Sequence, residues 1–168
     1  LYLKKNKNFG CKIEYSVEKT PLGTGGAIKK AIKNLVDKSF IVINGDIVTN
    51  INLKKILKST NTIAAIELKT KFGTMQIKNN KILKFNEKTD VENIWMNPGL
   101  YHLSSNIIRM LPNKGSLEAD VFPKLVKMKS LNTVKFKNVV WHSIDSFKDI
   151  ELCDEEINSK KHAKYFEY

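Results

Sequence analysis

Arginine is almost missing from this chain of 168 residues: Arg109 stands alone, although Lys and Arg together number 29 and the formal net charge is +12. The positive charge is therefore lysine, spread along the whole sequence among many asparagines. A dispersed lysine surplus makes a solvated surface, whereas readers of bases and phosphates favour the arginine fork. Basicity of this kind does not indicate a nucleic-acid partner, and none is expected. Cysteine is scarce too. Cys11 and Cys153 are far apart and lack C-x-x-C spacing, which excludes a zinc site or a disulfide framework built on them and leaves a reducing, cytoplasmic setting as the default. His102, His142 and His162 have no second ligand at metal spacing and are read as packing or surface residues. No run approaches the roughly 18 apolar residues of a membrane span, and the N-terminus is not a signal peptide. Neither repeats nor low-complexity linkers interrupt the sequence, so a single domain over 1–168 with one sizeable core is expected.

What is present is an alternation of strand and helix patterns. Ile13, Tyr15 and Val17 alternate with polar neighbours and predict a strand over Lys12 to Glu18. Pro21-Leu22-Gly23-Thr24-Gly25-Gly26 breaks that pattern, and Ile28, Ala31, Ile32, Leu35 and Val36 then fall at helical spacing. Phe40 to Ile43 is a short continuous apolar run, the pattern of a central strand covered on both faces, and Asn44-Gly45-Asp46 ends it. These segments form one βαβ unit. Asn52 is placed to cap a short helix, and Ile63 to Leu68 reads as a strand. Gly73 to Ile77 and Ile82 to Phe85 make a hairpin across Asn79-Asn80. Trp95 to Leu103 resumes strand character, and a helix follows from Ser104. Pro123 predicts a kink or break within a helical stretch from Leu117 to Met128. Val134 to Phe136 and Val139 to Trp141 are short strands. Ser146 with Asp149 resembles a capping box for a last helix whose buried contacts are expected from Phe147, Ile150, Leu152 and Ile157.

In open α/β sheets ligands bind beyond the carboxyl ends of the strands, and two segments lie there. In the first, Glu18 precedes Pro21 to Gly26, whose glycines at a strand-to-helix junction would let backbone approach a ligand at a helix N-terminus. It is not a P-loop, since no Gly-Lys-Ser/Thr ending follows. The second is Asn44-Gly45-Asp46. There Asp46 either presents a carboxylate to Mg²⁺ carrying nucleotide phosphates or closes an Asx-turn.

At this spacing the two segments resemble the sugar-1-phosphate nucleotidyltransferase family, and the match continues from about Phe9 to Ile157. Phe72-Gly73-Thr74 resembles the family's aromatic-Gly turn near the sugar, and Phe85-Asn86-Glu87-Lys88 its Phe-x-Glu-Lys segment. Asn97-Pro98-Gly99-Leu100-Tyr101 is similar to its Asn-Ala-Gly-Ile-Tyr strand. Ser116-Leu117-Glu118 with Val121-Phe122-Pro123-Lys124-Leu125 is similar to its helix ending in Phe-Pro, and Trp141 to Asp149 stands where its last metal-binding turn lies. The resemblance implies a Rossmann-like α/β fold with a mixed, mostly parallel sheet flanked by helices. It implies condensation of a nucleoside triphosphate with a sugar 1-phosphate, assisted by Mg²⁺. By the same resemblance Asp46 and Asp145 would hold the metal and Lys88 would neutralise the sugar phosphate. Glu87 and Asn97 would take sugar hydroxyls, Gly73 would admit the ring, and Leu22 and Gly23 would lie near the base. Glu18 stands where the family places a base-reading side chain. An acceptor-only carboxylate suits the adjacent N–H donors of guanine, which favours GTP. Family members are often homo-oligomers.

Two departures from the family pattern stand out. The common terminal motif has its Asp two residues after the Trp; here that position is Ser143, and the carboxylates nearby are Asp145 and Asp149. No counterpart of the family's opening Gly-rich loop, with its Arg and a following Pro-Lys segment, precedes Leu1. The resemblance therefore implies a natural protein longer by on the order of 60 residues, about two βα units. It also implies little turnover from the 168 residues alone. The competing readings are a non-catalytic paralogue that binds nucleotide sugar and regulates or scaffolds a partner, and a glycosyltransferase, which would carry Asp-x-Asp where this chain has Asp46 alone. Mannose, glucose and heptose 1-phosphates all remain open as the sugar.

Overall fold

The computed structural model describes residues 10–33, 37–69, 73–87 and 90–159. In chain order the elements begin with α1 (Gly23–Ala31), β1 (Ser39–Ile43), β2 (Ile47–Thr49), α2 (Leu53–Ile56), β3 (Thr62–Lys69), β4 (Thr74–Lys78) and β5 (Lys81–Asn86). Then come β6 (Asp90–Met96), β7 (Leu100–Ser104), a 3₁₀ turn (Ser105–Met110), α3 (Leu117–Asp120), α4 (Phe122–Lys127), β8 (Asn132–Phe136), β9 (Trp141–Ser143) and α5 (Phe147–Ile157). They divide into two compact units, one of residues 1–38 with 105–130 and one of residues 39–104 with 131–168.

The larger unit, 39–104 with 131–168, holds the central mixed sheet, in the order β1-β7-β3-β6 with β8 also on β3. β7 is antiparallel to both β1 and β3, and β8 is parallel to β3, so β1, β3 and β8 run one way. Ile66 and Phe136, facing each other across β3 and β8, join Ile51, Ile56, Ala64 and Leu100 in one core cluster. The expected strand over Trp95 to Leu103 is divided. Pro98 supplies no ladder donor and Gly99 takes φ +77°, so β6 and β7 are separate segments that pair with different halves of β3. Thr62 and His102 are the buried polar residues described. Both are satisfied at Ser59, whose carbonyl accepts from the Thr62 hydroxyl and from His102 Nδ1, each at 2.8 Å.

The hairpin forms as the sequence indicates. Asn79 (φ 48°) and Asn80 (φ 60°) occupy the two positive-φ positions that a two-residue turn requires, joining β4 to β5. Asn52 caps α2 through its side chain, which accepts from Lys54 N at 3.0 Å.

The smaller unit, 1–38 with 105–130, is helical, with Ile107, Leu117, Val121 and Leu125 buried in it. Its helical stretch breaks at Val121, and Pro123 sits in the first turn of α4, where its missing N–H costs nothing. In neither unit do the described residues include a helix long and apolar enough to cross a membrane.

Several expectations need correction. Lys12 to Glu18 pairs with no strand among the described residues, and Tyr15 and Val17 are exposed. Alternation reports a face, but a strand also needs partner backbone groups. β1 is not covered on both faces: among the described strands it lies at the sheet edge, and Ile41 and Ile43 are exposed. The glycines expected in a loop before the helix form the first turn of α1, while Leu35 and Val36 lie outside the described residues. β2 was not evident from the sequence, and the last strand is Trp141–Ser143 instead of ending at Trp141. In α5 the buried contact is Cys153; Phe147, Ile150 and Leu152 face solvent.

Candidate active site

The segments that carry Asp46 and Asp145 meet through backbone pairing. At the end of β1, Asn44 N donates to Gly99 O (3.0 Å), and the Asn44 side chain lies against Gly99, where a Cβ would meet Nδ2 at 2.7 Å. The chain turns through Gly45 and Asp46 into β2, which pairs antiparallel with β9. Ile144 N donates to Asp46 O at 2.9 Å and carries that ladder one step further. Asp46 therefore faces Ile144, with Asp145 next along, both exposed. Ser143, at the position where the family motif has its Asp, donates its hydroxyl to Asp145 Oδ2 at 3.0 Å. Asp149 is engaged in the cap: its Oδ2 accepts from Ser146 Oγ (2.7 Å) and from Asp145 N (3.2 Å).

Among the described residues no group of three or more His, Cys, Asp or Glu gathers as a metal cage. Two carboxylates at adjacent chain ends nevertheless suit Mg²⁺, which keeps several waters and is held by one or two carboxylates plus substrate phosphates.

Gly73 and Glu87, chosen from sequence positions well apart, are neighbours across the mouth of the hairpin. A Cβ at Gly73 would lie 2.9 Å from Glu87 Oε2 and 2.8 Å from Phe85 Cζ, so a larger residue there would push the ends of those two exposed side chains aside. Lys88 lies outside the described residues. Asn97 Oδ1 accepts from Gly99 N (3.0 Å) and its Nδ2 donates to Tyr101 Oη (2.9 Å). An amide side chain can make four hydrogen bonds, so half of its capacity is left for a ligand. Trp141 ties the same turn down, its Nε1 donating to Pro98 O at 2.9 Å. The roles of Tyr101 and Trp141 were not apparent from the sequence; the Trp141 contact spans 43 positions.

Glu18, Leu22 and Gly23 belong to the helical unit. Glu18 Oε2 accepts from Leu22 N at 2.8 Å, which fixes the turn before α1. The Gly-rich segment differs from its expected use. Gly25 N and Gly26 N donate to Gly115 O (3.0 and 3.4 Å), so these two N–H groups already have an acceptor. The glycines allow that close approach: a Cβ on Gly23 would stand 2.5 Å from Gly115 O, and one on Gly26 2.6 Å from Asn113 O. Thr24 Oγ1 completes the lock, donating to Glu118 Oε2 (2.6 Å) and accepting from Leu117 N (2.9 Å). Gly115 carried no sequence signal of this role.

In the sheet-bearing unit a cavity of about 410 Å³ opens beside the aspartates, walled by Ile66, Met96, Phe136, Trp141 and Leu152. Ser143 and Asp149 reach it, but Asp46, Asp145, Gly73, Glu87 and Asn97 do not line it. His142 and Glu156, 2.8 Å apart, form part of its rim.

Comparison with known proteins agrees with this arrangement. Residues 1–159 match the family described as Nucleotidyl transferase. D-glycero-α-D-manno-heptose 1-phosphate guanylyltransferase of Aneurinibacillus thermoaerophilus is 30% identical over 96% of the chain and 71% of its own length. The Campylobacter jejuni protein of the same name is 34% identical over 75% of the chain, which spans 60% of that relative. Among solved structures, HddC from Yersinia pseudotuberculosis superposes with a TM-score of 0.67 at 29% identity, covering 94% of this chain and 72% of that one. The same protein has also been seen complexed with GMP-PN. With a family match over residues 1–159, a relative 30% identical over most of both chains and a solved structure that superposes over 94% of the sequence, the chain belongs to the nucleotidyl transferase family of enzymes.

Proposed function

We propose that the protein is a guanylyltransferase acting on a heptose 1-phosphate or a closely related sugar 1-phosphate, in the cytoplasm, as one catalytic domain. The observation that supports this reading is the β2–β9 ladder, extended by the Ile144–Asp46 hydrogen bond, which brings the segments of Asp46 and Asp145 to one end of the sheet, in a chain whose relatives are named for that reaction. In the reaction a phosphate oxygen of the sugar 1-phosphate forms a bond to the α-phosphorus of GTP, the α–β phosphoanhydride bond breaks, and pyrophosphate leaves. Transfers of this type need positioning and charge neutralisation more than covalent help.

Asp46 and Asp145 hold Mg²⁺, which when bound offsets the negative charge of the meeting phosphates. Lys88 neutralises the sugar phosphate. Glu87 and the remaining capacity of Asn97 take sugar hydroxyls, while Gly73 lets the backbone approach the ring. Leu22 and Gly23 lie along the base, and the Glu18 carboxylate accepts from guanine; the GMP-PN complex of HddC supports a guanine nucleotide. The protein also works as a homo-oligomer.

The test is pyrophosphate release from GTP, ATP, CTP, UTP and dTTP, each paired with heptose, mannose and glucose 1-phosphates. The reading predicts GTP with the heptose ester as the best pair. It also predicts that Glu18→Gln lowers the preference for GTP by about 1–3 kcal/mol, the size of a charged hydrogen bond. Equal rates with all five triphosphates would defeat the guanine assignment.

A further inference from the structure

The terminal torsion of a surface amide is broad, and either end can usually meet a ligand. Asn97 is different. The backbone N–H of Gly99 is a donor only, so the Asn97 atom it meets at 3.0 Å is the oxygen Oδ1, and the other end of the amide is the NH₂ group. That group donates to Tyr101 Oη at 2.9 Å. Each end of the amide therefore has its own partner. A half-turn about the Cβ–Cγ bond would set two donors, Asn97 Nδ2 and Gly99 N, against each other.

Both partners are fixed in place. Gly99 is tied by its carbonyl to Asn44 N and lies close against the Asn44 side chain. Tyr101 is only 1% exposed and stands on β7 between β1 and β3, opposite Val42 in one ladder and Ile63 in the other. A buried tyrosine hydroxyl needs a hydrogen-bond partner, but that need does not select an exposed side chain. Here one partner is the exposed amide of Asn97. What Asn97 keeps for a ligand is one lone pair on Oδ1 and one N–H on Nδ2, each in a set place. An unheld amide would lose rotational freedom on binding, and part of the contact energy would be spent on that loss.

We propose that Tyr101 is a positioning residue for sugar recognition: its hydroxyl holds the Asn97 amide in one orientation, so that sugar hydroxyls meet a fixed donor at Nδ2 and a fixed acceptor at Oδ1. This role rests on the sugar-binding place given to Asn97 above. Buried as it is, Tyr101 acts only through Asn97. Asn97 lies far along the sugar from the reacting phosphorus, so its contacts serve substrate and transition state alike and appear in KM.

A double-mutant cycle in the protein at its natural length tests this, with KM measured separately for GTP and for the best used of heptose, mannose and glucose 1-phosphates. Tyr101→Phe keeps the ring and removes the hydroxyl alone. It should raise KM for the sugar 1-phosphate about two- to tenfold, the range of one neutral hydrogen bond, with kcat and KM for GTP nearly unchanged. Asn97→Ala should raise the same KM further. Tyr101→Phe added to Asn97→Ala should then change nothing more, because the residue through which it acts is gone. A role in packing alone would lower the urea midpoint and shift kcat and both KM values whether or not Asn97 is present. A wild-type sugar KM in Tyr101→Phe overturns the proposal. So does an equal rise in KM for GTP, or the same rise in sugar KM with and without Asn97. A wild-type sugar KM in Asn97→Ala would defeat the sugar-binding reading of Asn97, and no transfer by the wild type would defeat the assigned reaction; either result removes the role of Tyr101 with it.

Discussion

Gly26 has no room for a methyl group. Its position is 2.6 Å from Asn113 O, a rigid backbone atom, so Gly26→Ala should destabilise the protein by about 1–3 kcal/mol, the range for overpacking a tight contact, read as a lowered urea midpoint. A loop merely open for ligand would tolerate the change. This is where sequence reading met its limit: the glycine cluster was visible, but whether glycine serves a ligand or a neighbouring turn depends on Gly115, some ninety residues away. Asp46 and Glu87 were singled out because each stands in a short motif of fixed order. The Ser146–Asp149 capping box was legible as well, and the structure has Asp149 engaged in that cap. Asp149→Ala should cost about 1 kcal/mol of stability through loss of the α5 cap. Asp145→Ala should leave stability nearly unchanged while Mg²⁺-dependent turnover is lost. The reverse pattern would exchange their roles.

Among elements, those defined by neighbours in sequence were the easiest to foresee. The Asn79-Asn80 turn, the Asn52 cap and the Pro123 break are each set by local chemistry, and the structure has all three. Those that depend on distant partners were not: Lys12 to Glu18 has the period of a strand but no ladder, and β1 has the composition of a central strand but lies at an edge. Helix α5 offers a direct reading of local stability. Cys153 is buried, and its thiol is held above its ordinary pKa, first by burial and then by the charges of Glu156 and Asp154. Alkylation of Cys153 at neutral pH should therefore require the helix to lift away. Ser146→Ala removes the N-cap and should speed labelling about fivefold, the equivalent of about 1 kcal/mol. Unchanged labelling would mean that another contact holds the helix.

For the molecule as a whole, composition and motif order pointed to family, fold class and reaction type, while topology stayed hidden. Insertion of antiparallel β7 between β1 and β3 is a pairing across tens of residues, and no local pattern encodes it. The same holds for the meeting of β2 with β9, on which the proposed metal site rests: Asp46 and Asp145 are ninety-nine positions apart, and only that ladder brings their segments together. The account's central claim is that these two carboxylates act together on one metal ion in nucleotidyl transfer. The measurement that tests it is pyrophosphate release by the protein at its natural length, with GTP and heptose 1-phosphate, titrated with Mg²⁺ for the wild type, Asp46→Asn, Asp145→Asn and the double variant. If the pair acts as one unit, each single variant should lose nearly all turnover, and the double variant should lose little more than either alone. Independent, multiplying losses would contradict it, as would either variant turning over like the wild type.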